Sequence, residues 1–289
     1  MDPAAIVNVA LAGLLTGLVY GLMALGLSVI FGVVRVVNFA HGEMMTIAMY
    51  ATVVLFTALR LDPFLAVLPV AAAFFVFGYL LQRGLINPFI TRPEHSQFML
   101  LVAVALIMIN ALLMIFGPDA RSVQLDYLLE PVELGPLLAD RGKLAAAAVA
   151  CVTAAALFAF FRFARTGKAI RACADNHLGA LVIGLNVKRL YALTFGLGAA
   201  CVAVAGCMMI LLVDVTPTLG PAYTLLAFVI VIVGGLGSMS GALAGGVLIG
   251  VSEALAGLFF APSAKSMASF AALILVLLLR PQGLFGKRA

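Results

Sequence analysis

The chain has 289 residues, of which 65% are hydrophobic and 10% charged, with a formal net charge of +5 and a mean hydropathy of +1.22. A soluble domain carries about 25% charged residues, so this composition excludes a water-soluble globule and predicts an all-α, polytopic helical membrane protein. No polar stretch is long enough to form a soluble core of its own, and one membrane domain over 1–289 is expected.

The first apolar run, Ile6 to Val34, meets no Lys or Arg before Arg35, unlike a secretory signal, and should remain as a membrane helix. It carries Gly13, Gly17 and Gly21 four apart, a spacing that lets helix backbones approach closely, either within the bundle or at a subunit interface. The stretch VVRVVNFAHGEMM, Val33 to Met45, then sets Arg35, Asn38, His41 and Glu43 between two apolar runs. A charge at mid-bilayer costs about 2.5–3.5 kcal/mol, so Glu43 should face a partner or a cavity. On one regular helix Asn38 and His41 would share a face and Glu43 would point about 200° away. Gly42 is a candidate break. Two readings stand: Asn38, His41, Gly42 and Glu43 form a pathway or gate element, or they form a polar knot that packs helices.

Further runs follow at Val36–Leu59, Phe64–Gln82, Phe98–Phe116, Leu144–Phe161, Leu190–Val213, Ala222–Phe260 and Met267–Leu279. The loop Pro118–Lys143 has three basic and five acidic residues, net −2, whereas Arg162–Arg189 has six basic and one acidic, net +5. Excess Lys and Arg marks the cytoplasmic side, which puts the second loop inside and the first outside. The tail, with Arg280, Lys287 and Arg288, should also lie inside. Residues 222–260 would make a helix nearly twice too long for a core of about 30 Å, so a break is expected at GGLGSMSG, Gly234 to Gly241. The count is then nine crossings, or eight with a re-entrant leg, N-terminus periplasmic and C-terminus cytoplasmic. Gly234, Gly235 and Gly237 are expected to bend backbone within the membrane and line the passage, and Gly237, Gly241 and Gly245 repeat the close-packing interval. Glu253, the other lone acid in an apolar run, is either a helix contact or a pathway residue.

Catalytic chemistry finds no foothold in the sequence. Cys151, Cys173, Cys201 and Cys207 show no CxxC pairing and read as packing thiols, and His41, His95 and His177 are too scattered to suggest a metal. RTGKAIR, Arg165 to Arg171, lacks the upstream Gly and the Ser/Thr of a nucleotide-binding loop, so neither catalytic residues nor a bound cofactor are expected in this chain.

NFAHGEMM at Asn38–Met45, RACADNHLGALVIGLNV at Arg171–Val187 and FVIVIVGGLGSMSGALAGGVLIGVSEAL at Phe228–Leu255 resemble the signature regions of LivH-type permeases. RPEHSQFMLL, FGPDARSV and the terminal RPQGLFG fit the same pattern, so the resemblance spans nearly the whole chain. It implies one membrane subunit of an ATP-binding-cassette importer for branched-chain amino acids in a bacterial inner membrane. The implied partners are a second, LivM-like permease, two ATPase subunits carrying ATP and Mg, a periplasmic substrate-binding protein and membrane lipid, with no nucleic acid. It also implies that loop 162–189 carries a coupling helix, near Ala169 to Ile183 and ended by Gly184, with Arg171, Asp175, Asn176, Ala180, Leu181 and Gly184 as the candidate ATPase contacts. Gly179 and Ala180 depart from the larger pair common in that family. Two rivals remain: a same-family permease for urea, amides or aromatic acids, and an ion-coupled secondary transporter using Glu43 and Glu253.

Overall fold

The computed structural model describes residues 3–128, 130–134, 137–261 and 263–286; Lys287 and Arg288 of the basic tail lie outside them. The helices are α1 (Pro3–Val34), α2 (His41–Leu59), α3 (Pro63–Leu81), α4 (Glu94–Phe116), α5 (Arg141–Phe163), α6 (Arg165–Asp175), α7 (His177–Val182), α8 (Val187–Met209), α9 (Gly220–Gly234), α10 (Met239–Phe259) and α11 (Ala264–Leu279). A small hairpin, β1 (Val132–Leu134) with β2 (Leu137–Ala139), precedes α5. Among the described residues, seven helices are long and apolar enough to cross a membrane, and α9 and α11 are shorter, at 15 and 16 residues. The chain is a multi-pass membrane protein.

Several helices start where a side chain satisfies the first amides. Asp62, Asp140, Asn186 and Ser238 each accept an N–H from the first turn of α3, α5, α8 and α10. The expected interruption of 222–260 is present, since α9 stops at Gly234 and α10 starts at Met239.

The bundle has two ends. At the acidic end, Arg121 pairs with Val215, Asn8 of α1 accepts the Leu138 amide, and Tyr127 donates to Asp62. Burial and the Asp62 carboxylate push the Tyr127 phenol up to about 12. The basic end gathers the close of α1, α6, α7, the α9–α10 link and the tail.

α1 and α8 form the centre and run in opposite directions. Each leads into an irregular link, 35–40 or 210–219, that turns back into the bundle before a second helix starts, α2 or α9. The next helix then packs on the other half's central helix: α3 on α8, and α10 on α1. α4 flanks α2 as α11 flanks α9. The order α1–α4 is therefore repeated, inverted, by α8–α11, an arrangement that transporters use to build two-sided passages.

Gly13 and Gly17 of α1 interlock with Gly246 and Gly250 of α10, with the Gly250 carbonyl 2.7 Å from where a Gly13 Cβ would stand. The α1 glycines thus serve packing inside the chain. The second series at the same spacing packs elsewhere, Gly241 and Gly245 on α9 and Gly237 on Gly32. Cys173, Cys201 and Cys207 are buried and Cys151 is exposed, all four as free thiols.

Gly246→Leu drives a side chain into the α1 backbone at Gly21, and overpacking of this kind costs about 1–3 kcal/mol or more. Thermal unfolding of the detergent-purified protein should show a clearly lower Tm for Gly246→Leu and little change for Gly84→Ala, whose site is open.

Candidate functional site

α1 ends at Val34 because Arg35 takes a left-handed conformation, φ +58°. The link then climbs back along α1. His41 Nε2 donates to the Met23 carbonyl at 2.9 Å, and Met23 lies about 16 Å up α1 from Val34. Hence α2 begins deep inside the bundle. α9 begins beside it: Gly220 packs on Glu43, and a Cβ on Gly42 would collide with the Gly220 carbonyl.

A helix start buried this way leaves amide groups without water. Ala40 caps α2 with no side-chain bond, and the need is met from the other helix: the Gly42 amide donates to Thr224 Oγ1 at 2.8 Å. The Thr224 hydroxyl in turn donates to Glu43 Oε2 at 3.1 Å. On α9, Pro221 in the first turn removes one donor altogether. Glu43 thus stands at two helix N-termini, where the helix dipoles favour negative charge.

Asn38 accepts the Ala40 amide at 3.1 Å and faces Met44 Sδ at 3.6 Å. Asn38, His41 and Glu43 are 0%, 0% and 2% exposed, so within this chain all three are enclosed by protein. One sequence expectation, the place of the break, is corrected in detail. Residues 36–40 are not helical, so Asn38 and His41 share no helix face, and the interruption precedes Gly42, which sits in the first turn of α2.

Gly234, Gly235 and Gly237 stand apart from this knot, at the basic end. The Val233 and Gly234 carbonyls accept the Leu284 and Phe285 amides at 2.9 Å, which clips the RPQGLFG tail onto the α9–α10 link. Gly237 lines a cavity of about 870 Å³ together with Arg35, Arg171, Asp175 and Gln282. One cavity therefore unites a residue from the candidate passage with two from the candidate coupling loop.

That loop is two helices where one was expected over Ala169–Ile183. Asn176 breaks the helix, and its side chain caps α7 by accepting the Gly179 amide at 2.9 Å. Gly184, φ +82°, ends the segment as expected, with the Leu185 amide bonded to the Ala180 carbonyl. Ala180 is buried, whereas Leu178, Leu181, Val182 and Ile183 are exposed, Val182 to 87%. On α6, Ile170 and Cys173 face inward, and burial raises the Cys173 thiol above its ordinary range. Glu253 accepts from Ser269 and ties α10 to α11. Thr224, Gly220, Gly246 and Gly250 are the structurally decisive residues that sequence reading passed over; a hydroxyl just after Pro221 in an apolar run was the available signal for Thr224.

Residues 9–278 match the family model for the branched-chain amino acid transport system / permease component. The chain belongs to that permease family. The high-affinity branched-chain amino acid permease protein LivH of Salmonella typhimurium is 31% identical, over 95% of this chain and 94% of its own. BraD of Pseudomonas aeruginosa is 29% identical over the same shares. Among solved structures, PsaBC from Streptococcus pneumoniae in complex with Fab covers 94% of this chain and 92% of its own, at 13% identity and a TM-score of 0.49.

Thr224→Val leaves the Gly42 amide unbonded in the permease interior, at a cost of about 1–3 kcal/mol. The Tm of the purified protein should fall accordingly, and Glu43→Ala in the Thr224→Val background should add less than it does alone. Additive losses would place Glu43 outside this network.

Proposed function

We propose that this permease is one of two membrane subunits of an ATP-driven importer of branched-chain amino acids in a bacterial inner membrane. The relatives carry that cargo in their names. The observation that bears most weight is α7, a short capped helix at the basic end whose Leu178, Leu181, Val182 and Ile183 face outward among cations. Attraction to lipid headgroups needs positive charge alone; an outward apolar face marks a further contact, which in this family reading is a protein groove. The groove belongs to one of two ATPase subunits, which carry the ATP and Mg. A second, LivM-like permease completes the passage, and a periplasmic binding protein delivers cargo at the acidic end.

In this reading the basic end is cytoplasmic, and the chain crosses nine times from a periplasmic N-terminus to a cytoplasmic C-terminus. α2 and α9, each lengthened by its extended link, count as full crossings. Nucleotide binding draws the ATPases together, α7 and α6 follow, and the inverted halves rock about the Glu43–Thr224 knot. Nucleotide shifts the inward- and outward-facing states only by its differential affinity for them. Glu43 and the Asn38–His41 link act as a pivot at the gate, and Gly237 faces the exit. No covalent step falls to this chain. Urea, amides and aromatic acids are the competing cargoes within the family, and ion-coupled transport through Glu43 and Glu253 is the competing mechanism.

Two measurements check this. In proteoliposomes with the complete complex, leucine uptake should require ATP and survive collapse of the proton gradient, and this chain alone should accumulate nothing along a pH gradient. Leu181→Asp should insert normally and assemble with the second permease while uptake falls at least about ten-fold, since a charge on the docked face costs more than about 1.4 kcal/mol. Unchanged uptake would remove α7 from the coupling path.

A further inference from the structure

The cavity at the basic end, of about 870 Å³, lies between the close of α1, α6, the α9–α10 link and the tail. Its volume is that of a small-molecule pocket. Arg35, Arg171 and Asp175 all line it, and none of their side chains makes a hydrogen bond or ion pair among the described residues. Ser28 lines it too, fully buried, with an Oγ that has no hydrogen-bond partner. The rest of the wall is largely apolar, with Val29, Phe161, Ile232, Met239 and Phe285.

These features select a ligand by chemistry. A buried hydroxyl without a partner costs about 1–3 kcal/mol until an acceptor arrives. Two guanidiniums and that hydroxyl suit a carboxylate. Asp175 suits an ammonium and repels a purely anionic guest, so phosphate or an anionic headgroup is disfavoured. The apolar wall requires an aliphatic body. We infer that this cavity is a product-side binding site for a free zwitterionic aliphatic amino acid, with the carboxylate at Arg35, Arg171 and Ser28 and the ammonium at Asp175. The inference rests on the cargo proposed above. Because α6 and the tail form two of the walls, an amino acid bound here holds the coupling loop against the α9–α10 link, and accumulated product slows the cycle.

The test uses the complex with its second permease and ATPases in nanodiscs of phosphatidylglycerol, without binding protein, and measures equilibrium binding of radiolabelled L-leucine. Saturable binding is expected, displaced by unlabelled leucine and at least about ten-fold more weakly by 4-methylpentanoate, which lacks the ammonium, and by 3-methylbutylamine, which lacks the carboxylate. Arg35→Gln should weaken binding about ten-fold and Ser28→Ala about five-fold. Met239→Trp, which fills the cavity, should abolish it, with each complex checked for intact assembly and ATPase activity. Doping the discs with phosphatidylethanolamine separates the two sources of a zwitterion: unchanged leucine binding supports the free amino acid, and displacement assigns the cavity to lipid and overturns the inference. Binding that persists in Met239→Trp, or no binding in a complex that transports leucine, also overturns it while leaving the importer reading intact. A complex that imports a different amino acid and binds that one, with the same sensitivity to Arg35→Gln and Met239→Trp, would correct the cargo and keep the site.

Discussion

Backbone amides buried away from water must find partners, and in this permease that requirement is met at one place by a side chain of one helix capping the start of another. α2 and α9 both start inside the bundle, and Thr224 of one caps Gly42 of the other while bonding Glu43. The near contact of Gly42 and Gly220 brings the helix starts close enough for this. Everything else in the fold is arranged to allow it: α1 and α8 run the full depth of the bundle, the links 35–40 and 210–219 fold back along them, and α10 and α3 wall the outer sides. Helices that start in the interior are tolerated in a membrane protein only where protein or a cavity receives their ends.

The inverted halves give the two ends of the molecule distinct characters. At the acidic end the long stretch between α4 and α5 is tied back to distant parts of the chain, through Arg121 to Val215, Leu138 to Asn8 and Tyr127 to Asp62. At the basic end the α6–α7 segment, the α9–α10 link and the clipped tail surround one cavity. A push on α7 reaches α6 directly, and α6 contacts both α1 and α8, the central helices. From α7 to the interior the chain is thus continuously packed, which the proposed coupling requires.

Much of this was legible in the sequence. The long apolar runs, the break at Gly234–Gly241 and the stop at Gly184 follow from hydropathy, length and glycine placement, and each appears in the structure. The polar stretch around Glu43 announced itself because a carboxylate among apolar residues needs an explanation. What it bonds to was not legible, since Gly42 and Thr224 are separated by 182 positions and no local pattern links them. The Asn176 break was missed because a favourable N-cap looks, by composition, like any polar residue within a helix. The glycine series of α1 was read as close packing, within the bundle or at a subunit interface, and it packs within the chain; that its partners are Gly246 and Gly250 was not legible, because register between two helices depends on where each starts, and α10 starts at a cap that only the fold defines.

If α7 is the proposed contact with an ATPase, its apolar face must meet that subunit during the transport cycle. Cysteine cross-linking tests this most directly: Val182→Cys in the assembled complex, paired with cysteines placed around the permease-facing groove of the ATPase subunit. Rapid disulfide trapping is expected, with a yield that changes when ATP is added. A complex that transports normally yet never traps Val182→Cys against the ATPase, with or without nucleotide, would contradict it.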